Sequence, residues 1–343
     1  MGTETADPES RQPVMADVAK LAGVSHQTVS RVLNGAPHVR PGTRDRVLAA
    51  IRELDYRPNS AARALVTRRS QTLGVVSFES TLYGPASMLD GIERAARSAG
   101  YFVSVAGLRS LDSRSVQETV DRLRDQGVEG VVVIAPQTSA VSAVAKLSSS
   151  IPVVAVGSGT RSSIPTVSVD NRSGAVAAVQ QLLDLGHRTV HHLAGPAGWL
   201  ESQDRREGWH RTLEAAGAPA PAVETGDWSA RSGYEAGQRI AALADVTAVF
   251  CANDHMALGL LRALHEAGRS VPEDISVVGF DDIPEAAYFI PPLTTVRQDF
   301  GELGRRALEL LVAELGGTTR PTARVRITPE MVLRHSTGPA HRP

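Results

Sequence analysis

Asp17-Val-Ala-Lys-Leu-Ala-Gly-Val-Ser-His-Gln-Thr-Val-Ser-Arg-Val-Leu-Asn34 decides how the N-terminus folds. It reads as two short helices joined by a tight turn. Gly23 can take the left-handed conformation that ends the first helix. Ser25 is a good N-cap for the second, because its hydroxyl can accept an orphan backbone N–H. Val18, Leu21, Ala22, Val24, Val29, Val32 and Leu33 form the apolar face. His26, Gln27 and Arg31 are left outward, as in a helix-turn-helix that offers the start of its second helix to base edges. A third helix over 43–54 turns Val47, Leu48 and Ile51 inward and Arg44, Arg46 and Arg52 outward.

Charge agrees with an anionic partner for this segment alone. Residues 14–70 hold ten Lys/Arg against four acids, a charge of +6, which leaves −7 for the rest of a chain of net −1. A basic head on an acidic body is the electrostatic footprint of a nucleic-acid binder. At 343 residues the chain is too long for one ordinary domain. The first dozen residues are polar, without an apolar leading segment, and no apolar run is long enough to span a bilayer. Cys251 is the single cysteine, so no intrachain disulfide can form. These features lead to an expectation of a cytoplasmic protein.

After the third helix comes Asp55-Tyr-Arg-Pro-Asn-Ser-Ala-Ala-Arg-Ala-Leu-Val66. With the preceding helices it resembles the LacI/GalR family of bacterial transcription regulators. The resemblance covers nearly the whole chain, from about Val14 to Arg334. It implies an all-α helix-turn-helix DNA-binding head and an α/β periplasmic-binding-protein-like effector domain of two doubly wound parallel-sheet subdomains. The residues support that class independently: short apolar strands near 73–78, 102–106, 130–134, 153–156, 166–169, 189–193, 248–251 and 275–279 alternate with amphipathic helices. The expected divisions are a disordered 1–12, a head over 13–57, a hinge over 58–70, an effector and dimerisation domain over 71–335, and a disordered tail over 336–343. Within the effector domain, one subdomain takes 71–169 and 297–325, the other 170–296 and 326–335.

Gln27 can pair bidentately with adenine and Arg31 with guanine, while His26 can make one bond. By position, the resemblance gives His26 and Gln27 the setting of operator preference. Ser25, Thr28, Ser30, Asn34, His38 and Thr43 are candidates for the DNA backbone or for packing, contacts that set register without reading sequence. Where the family often has Thr or Ser, this chain has Val14, which removes a hydroxyl cap. Asn59, Ala62 and Leu65 fit the family's hinge helix, too short to be stable alone. Leu65 matches the wedge that enters the minor groove. An ordinary flexible linker is the alternative, but Leu is an odd residue to expose in one.

The body carries further family motifs at the family's spacing: Gly226–Tyr234, Ala252–Gly259, Asp274–Asp282 and Ile290–Phe300. Sugars need multidentate hydrogen bonding and a flat apolar wall. Arg205 offers a rigid donor fork; Asp281 and Asn253 can serve adjacent hydroxyls; Trp228 and Phe300 are candidate walls; Gln298 and Glu201 are polar partners. Phe78, Leu82, Tyr83 and Pro85 follow the first strand, where open α/β sheets bind ligands. Each has a plainer reading: Asp281 and Asp282 as helix caps, Trp228 as core, Arg205 as a surface ion pair with Glu201 or Glu207. Two departures stand out. Gly157 replaces a carboxylate presented by family members, and Gly198-Trp-Leu-Glu201 is bulky and acidic. The expected effector is a mono- or disaccharide, with galactosides among the candidates, and no cofactor or metal is expected.

An enzyme is the main rival, and the motifs do not support it. Gly157-Ser-Gly159 is only a fragment of a dinucleotide fingerprint, and no P-loop occurs. His187, His191 and His192 lie on a strand without a partner carboxylate and read as structural. A transport protein of the same fold would carry a leading signal and no basic head. The expected partners are operator DNA, a sugar effector and a second copy of the chain. The residues after Leu333 cannot form a coiled coil, so a dimer is expected rather than a tetramer.

Overall fold

The computed structural model describes residues 13–33, 35–57, 69–78, 81–108, 110, 112–147, 149–157, 164–318 and 323–340. The chain divides into two compact units, 1–70 and 71–343. The expected disordered segment 1–12, Asn34 and the hinge residues Asn59, Ala62 and Leu65 lie outside the described residues.

In the first unit, α1 spans Met15–Ala22, α2 His26–Leu33 and α3 Pro41–Glu53. Gly23 ends α1 at φ +63°, a conformation that would strain any side chain. The Ser25 hydroxyl accepts from the Thr28 N–H at 3.2 Å and caps α2. Val14 has no acceptor to offer α1, but its own N–H donates to the Asp17 carboxylate at 2.9 Å, the returning half of a capping box. The core is Val18, Ala19, Ala22, Val29, Val32, Val47, Ala50 and Tyr56. Leu21 and Leu48, expected inside, are exposed. Each sits one position off the buried stripe of its helix. Arg44 is half-buried instead of outward, because its Nη2 donates to the Ala36 carbonyl at 3.0 Å.

The second unit holds two parallel sheets. The first has β1 (Thr72–Ser77), β2 (Phe102–Gly107), β3 (Gly130–Ile134), β4 (Val153–Val156), β5 (Thr166–Val169) and β11 (Arg324–Ile327), in the order β11-β5-β4-β3-β1-β2. The second has β6 (His191–Ala194), β7 (Glu224–Thr225), β8 (Ala248–Cys251) and β9 (Ser276–Val278), in the order β7-β6-β8-β9. Both orders reverse direction beside their first strand, between β1 and β3 and between β6 and β8. Those reversals are the crevices in which open α/β sheets hold ligands. Central strands such as β3 and β8 are buried throughout, because helices cover both faces.

The covering helices are α4 (Tyr83–Ser98), α5 (Ser113–Asp125), α6 (Thr138–Ala145) and α11 (Phe300–Leu315) in the first lobe. In the second they are α7 (Asn171–Asp184), α8 (Leu200–Ala215), α9 (Ala230–Ala241) and α10 (Asp254–Glu266). The chain crosses between lobes at Asp170, again after β10 (Thr295–Arg297), and a third time between β11 and β12 (Glu330–Val332); β10 and β12 pair antiparallel. Residues 336–340 correct the expectation of a disordered tail. The Ser336 hydroxyl bonds the Val277 carbonyl and the Thr294 N–H, and the Ala340 N–H reaches the Leu185 carbonyl at 2.9 Å.

Candidate ligand cleft and nucleic-acid interface

The two switch points face one another across a cleft of about 780 Å³, counting its open mouth. Segments that follow strand C-termini build it: Thr81–Pro85 after β1, Pro136 after β3, Trp199–Arg205 after β6, Trp228 and Ser229 after β7, Asn253 and His255 after β8, and Asp281 after β9. Gln298, ahead of α11, closes the floor. Backbone bonds join the lobes along one side: the Leu200 N–H donates to the Pro136 carbonyl at 2.9 Å, and the Thr138 N–H to that of Gly198 at 3.2 Å.

Arg205 is the centre of the floor and only 4% exposed, so it is no surface ion pair. Its guanidinium carbon stacks 3.7 Å from the Phe280 ring centre. Nε donates to Asn171 Oδ1 at 2.8 Å, Nη1 to the Ala252 carbonyl, and Nη2 lies 3.5 Å from Asp281 Oδ1. Burial pushes the Arg205 pKa down, while Asp281 and Glu201 oppose that. Burial likewise raises Asp281, against the pull of Arg205 and of Gln298, whose Nε2 donates to Oδ1 at 2.6 Å. Neither Asp281 nor Asp282 caps a helix. Asp282 instead accepts from Arg297 at 2.7 Å and Arg334 at 2.6 Å.

Asn253 caps α10, its Oδ1 accepting from the Met256 N–H at 2.9 Å, and its Nδ2 donates to the Trp228 carbonyl at 3.0 Å. The cap therefore also fixes a cleft wall. Trp228 meets Trp199 edge-on at 5.7 Å. Trp228, Asp281 and Asp282 all have positive φ, at 76°, 112° and 55°. Such strain in non-glycine residues collects at ligand sites. Trp228 Nε1 and Gln298 Oε1 are buried with no hydrogen-bond partner among the described residues. Each would gain from a ligand hydroxyl. Tyr83 approaches His255 at 6.0 Å from across the cleft. Its hydroxyl is raised by burial first, then by Asp281, Asp254 and Asp282.

Leu82, Tyr83, Pro85, Glu201, Arg205, Trp228, Asn253, Asp281 and Gln298 thus come together, while two expected members do not. Phe78 packs with Val76 and Leu108 against the opposite face of the first sheet. Phe300 lies in the first lobe's core beneath Tyr83, ring to ring at 6.0 Å, and does not line the cleft. Trp199, His255, Pro136 and Ser229 were not among the expected ligand contacts. Their signal was position at a strand's C-terminal end. At Gly157, φ is +136° and an added Cβ would lie 2.6 Å from the Ala135 carbonyl oxygen. The missing family carboxylate could not be restored there without moving the backbone.

The candidate metal and redox groups are structural. His192 stacks between Trp209 and Phe250, its Nδ1–H donating to the Phe250 carbonyl at 2.9 Å, and burial lowers it to about 4. His187 bonds Thr247 and Ser276 at 3.0 and 3.1 Å. Cys251 is buried, which pushes its thiol up. Among the described residues, no three His, Cys, Asp or Glu side chains group to hold a metal, and no helix is long and apolar enough to cross a membrane.

In the head, His26, Gln27 and Arg31 are exposed on α2, with Ser25 and His38 also exposed and Thr28, Ser30 and Thr43 half-buried. The three base-reading candidates sit at the start and middle of the second helix of a helix-turn-helix, where such helices meet base edges.

A basic three-helix reader and a cleft between two doubly wound lobes define a DNA-binding regulator with a small-molecule site. Residues 14–59 match the family described as bacterial regulatory proteins, lacI family, and 179–337 match the periplasmic binding protein-like domain. The chain is 36% identical to the lactose operon repressor of Escherichia coli (strain K12), over 86% of this chain and 83% of that one. It is 35% identical to the HTH-type transcriptional regulator CelR of Thermobifida fusca, over 95% and 98%. The lac repressor dimer bound to operator and the anti-inducer ONPF superposes with a TM-score of 0.85 at 34% identity, covering 96% of this chain and all of that one. A CelR–cellobiose complex gives 0.70 at 33%, covering 94% and 99%. The chain belongs to the LacI family of transcription regulators, and is no enzyme.

Proposed function

We propose that this regulator is a repressor of sugar-utilisation genes. It binds a near-palindromic operator as a homodimer in the cytoplasm and is released when a mono- or disaccharide enters the cleft. The observation that carries this is the cleft floor: a stacked guanidinium, a buried carboxylate and an amide beside the Trp199–Trp228 pair. That combination of planar donors, acceptors and aromatic wall suits a ring of hydroxyls. Related structures hold cellobiose, ONPG and ribose. His26, Gln27 and Arg31 read bases; Ser25, Thr28, Ser30, Asn34, His38 and Thr43 serve the backbone or packing; Asn59, Ala62 and Leu65 form the hinge.

Tyr288 and Ile290 are 85% and 94% exposed, and Phe102 and Val105 on the edge strand β2 are 70% and 52%. Apolar surface of this kind fits burial against a second copy. Coupling between sugar and operator is typically about 1–3 kcal/mol and reciprocal. The test is fluorescence anisotropy with the DNA upstream of the gene, titrated with sugars including galactosides and cellobiose. Release by a sugar supports the reading. Tight binding of a purine or amino acid with no response to any sugar would refute it.

A further inference from the structure

One edge of the cleft is built from a reciprocal pair of helix starts. Gln137 is the N-cap of α6 in the first lobe, and Trp199 that of α8 in the second; both are extended, and neither caps its helix with a side-chain hydrogen bond. The two lie opposite each other as an antiparallel bridge. The first N–H of a helix finds no acceptor within that helix. Here each is satisfied across the lobe boundary. Leu200, the first residue of α8, donates to the Pro136 carbonyl at 2.9 Å, and Thr138, the first residue of α6, donates to the Gly198 carbonyl at 3.2 Å. Residues 136–138 and 198–200 thus form a two-bond ladder between the lobes.

The same segments face the ligand space. Pro136 and Trp199 both line the cleft. Trp199 is buried and meets Trp228 edge-on at 5.7 Å, and Asn253 holds the Trp228 carbonyl at 3.0 Å. The Trp199 ring therefore belongs to the second lobe's aromatic wall, while the backbone on either side of it is bonded to the first lobe. Parting the lobes along this edge pulls the wall out of place. A ligand seated against the wall favours the closed ladder by the same free energy, because coupling is reciprocal.

We propose that Thr138 and Leu200 are positioning residues for the effector: their N–H groups clasp the lobes so that Trp199 stands against Trp228, and an effector at that wall tightens the clasp. The clasp rests on the sugar-effector reading above and adds to it the link between wall and lobes. Proline is suited to test it. Proline is accepted at the first position of a helix, where no bond within the helix is lost. It also requires an extended residue before it, and Gln137 and Trp199 already are, at ψ 152° and 128°. Thr138→Pro and Leu200→Pro therefore keep α6 and α8, while each deletes one clasp bond and sets a ring against the carbonyl that accepted it.

Calorimetry on the full chain with galactose, ONPG, cellobiose and ribose measures affinity, and urea midpoints report that each variant is folded. For a sugar that binds the wild type, each proline variant should lose about 5- to 10-fold, the worth of one net hydrogen bond. Thr138→Ser and Leu200→Ala keep the N–H and should stay within about twofold. In the wild type, saturating sugar should slow hydrogen exchange at the amides of Thr138 and Leu200, a readout that depends on no variant. Folded proline variants with wild-type affinity overturn the clasp and leave the sugar reading intact. So does exchange at both amides that sugar leaves unchanged. Binding of none of the four sugars overturns the sugar reading and the clasp with it.

Discussion

The Arg205 guanidinium lies flat over the Phe280 ring, 3.7 Å from its centre, while its edge points at Asp281. Both contacts need a planar fork, which lysine lacks. Arg205→Lys should therefore weaken binding of the sugar that releases the wild type by ~100-fold, through loss of the planar fork that reaches Asn171, the Ala252 carbonyl and Asp281 at once, although the positive charge is kept. Operator affinity should stay within about threefold, because the head is a separate unit. Calorimetry and gel shift on the same preparation check both halves.

A Cβ placed on Gly195 would lie 2.2 to 2.5 Å from three indole carbons of Trp228. The ring is rigid and braced by Trp199, so it must leave the cleft wall. Gly195→Ala should cost about 1–3 kcal/mol of stability and impair sugar binding without altering any polar contact. Gly198→Ala, with nothing within 4 Å of the new methyl, is the control. Equal sugar affinities in the two variants would remove Trp228 from the site.

Gln27→Ala should lower affinity for the specific operator by about 1–3 kcal/mol and relax discrimination at one base pair. Affinity for random duplex should not change. Competition titrations at fixed salt separate the two, and a uniform loss on both would assign Gln27 to the phosphate backbone.

Leu65→Ser tests the hinge wedge inferred from sequence. Specific binding should fall by at least ~10-fold, because the wedge stabilises only the kinked complex, with nonspecific binding little altered.

Acid should loosen the effector unit through His192. Its folded-state pKa is about 4, against 6.5 for the free side chain, because it is fully buried. The unfolded chain takes up the proton first as pH falls. Stability is thus fully present above pH 6.5 and is lost between 6.5 and about 4. The loss is about 3 kcal/mol at full protonation. Burial lowers His187 and His191 in the same direction. His192→Phe should flatten the slope of urea-midpoint against pH across that window; a slope equal to the wild type would contradict the assignment.

The head was legible because its determinants are local. Gly23, Ser25 and the Val18–Ala22 stripe act over a few residues, so their pattern is visible in the chain. The core strands were legible because burial on both faces leaves continuous apolar runs. Other elements escaped: α6, whose Thr138–Ala145 stretch is short and mixes small apolar and hydroxyl residues with no charged face, and β7, β10 and β12, too short for a period to register. Phe78 was misplaced because a one-residue step along an extended chain reverses the face, and it follows Val76 rather than Val75.

Sequence alone determined the class of reader at the N-terminus, the alternating α/β body and the polar residue types a ligand would meet. Tertiary structure decided which of those residues meet: Arg205 with Asp281, Tyr83 with His255, Trp199 with Trp228, and Phe300 beneath the cleft instead of in it. The reason is physical. Helix caps and hydrophobic periods act between near neighbours, whereas a binding cleft is assembled from strand ends far apart in the chain. Their meeting is set by sheet order and packing, which no local pattern encodes.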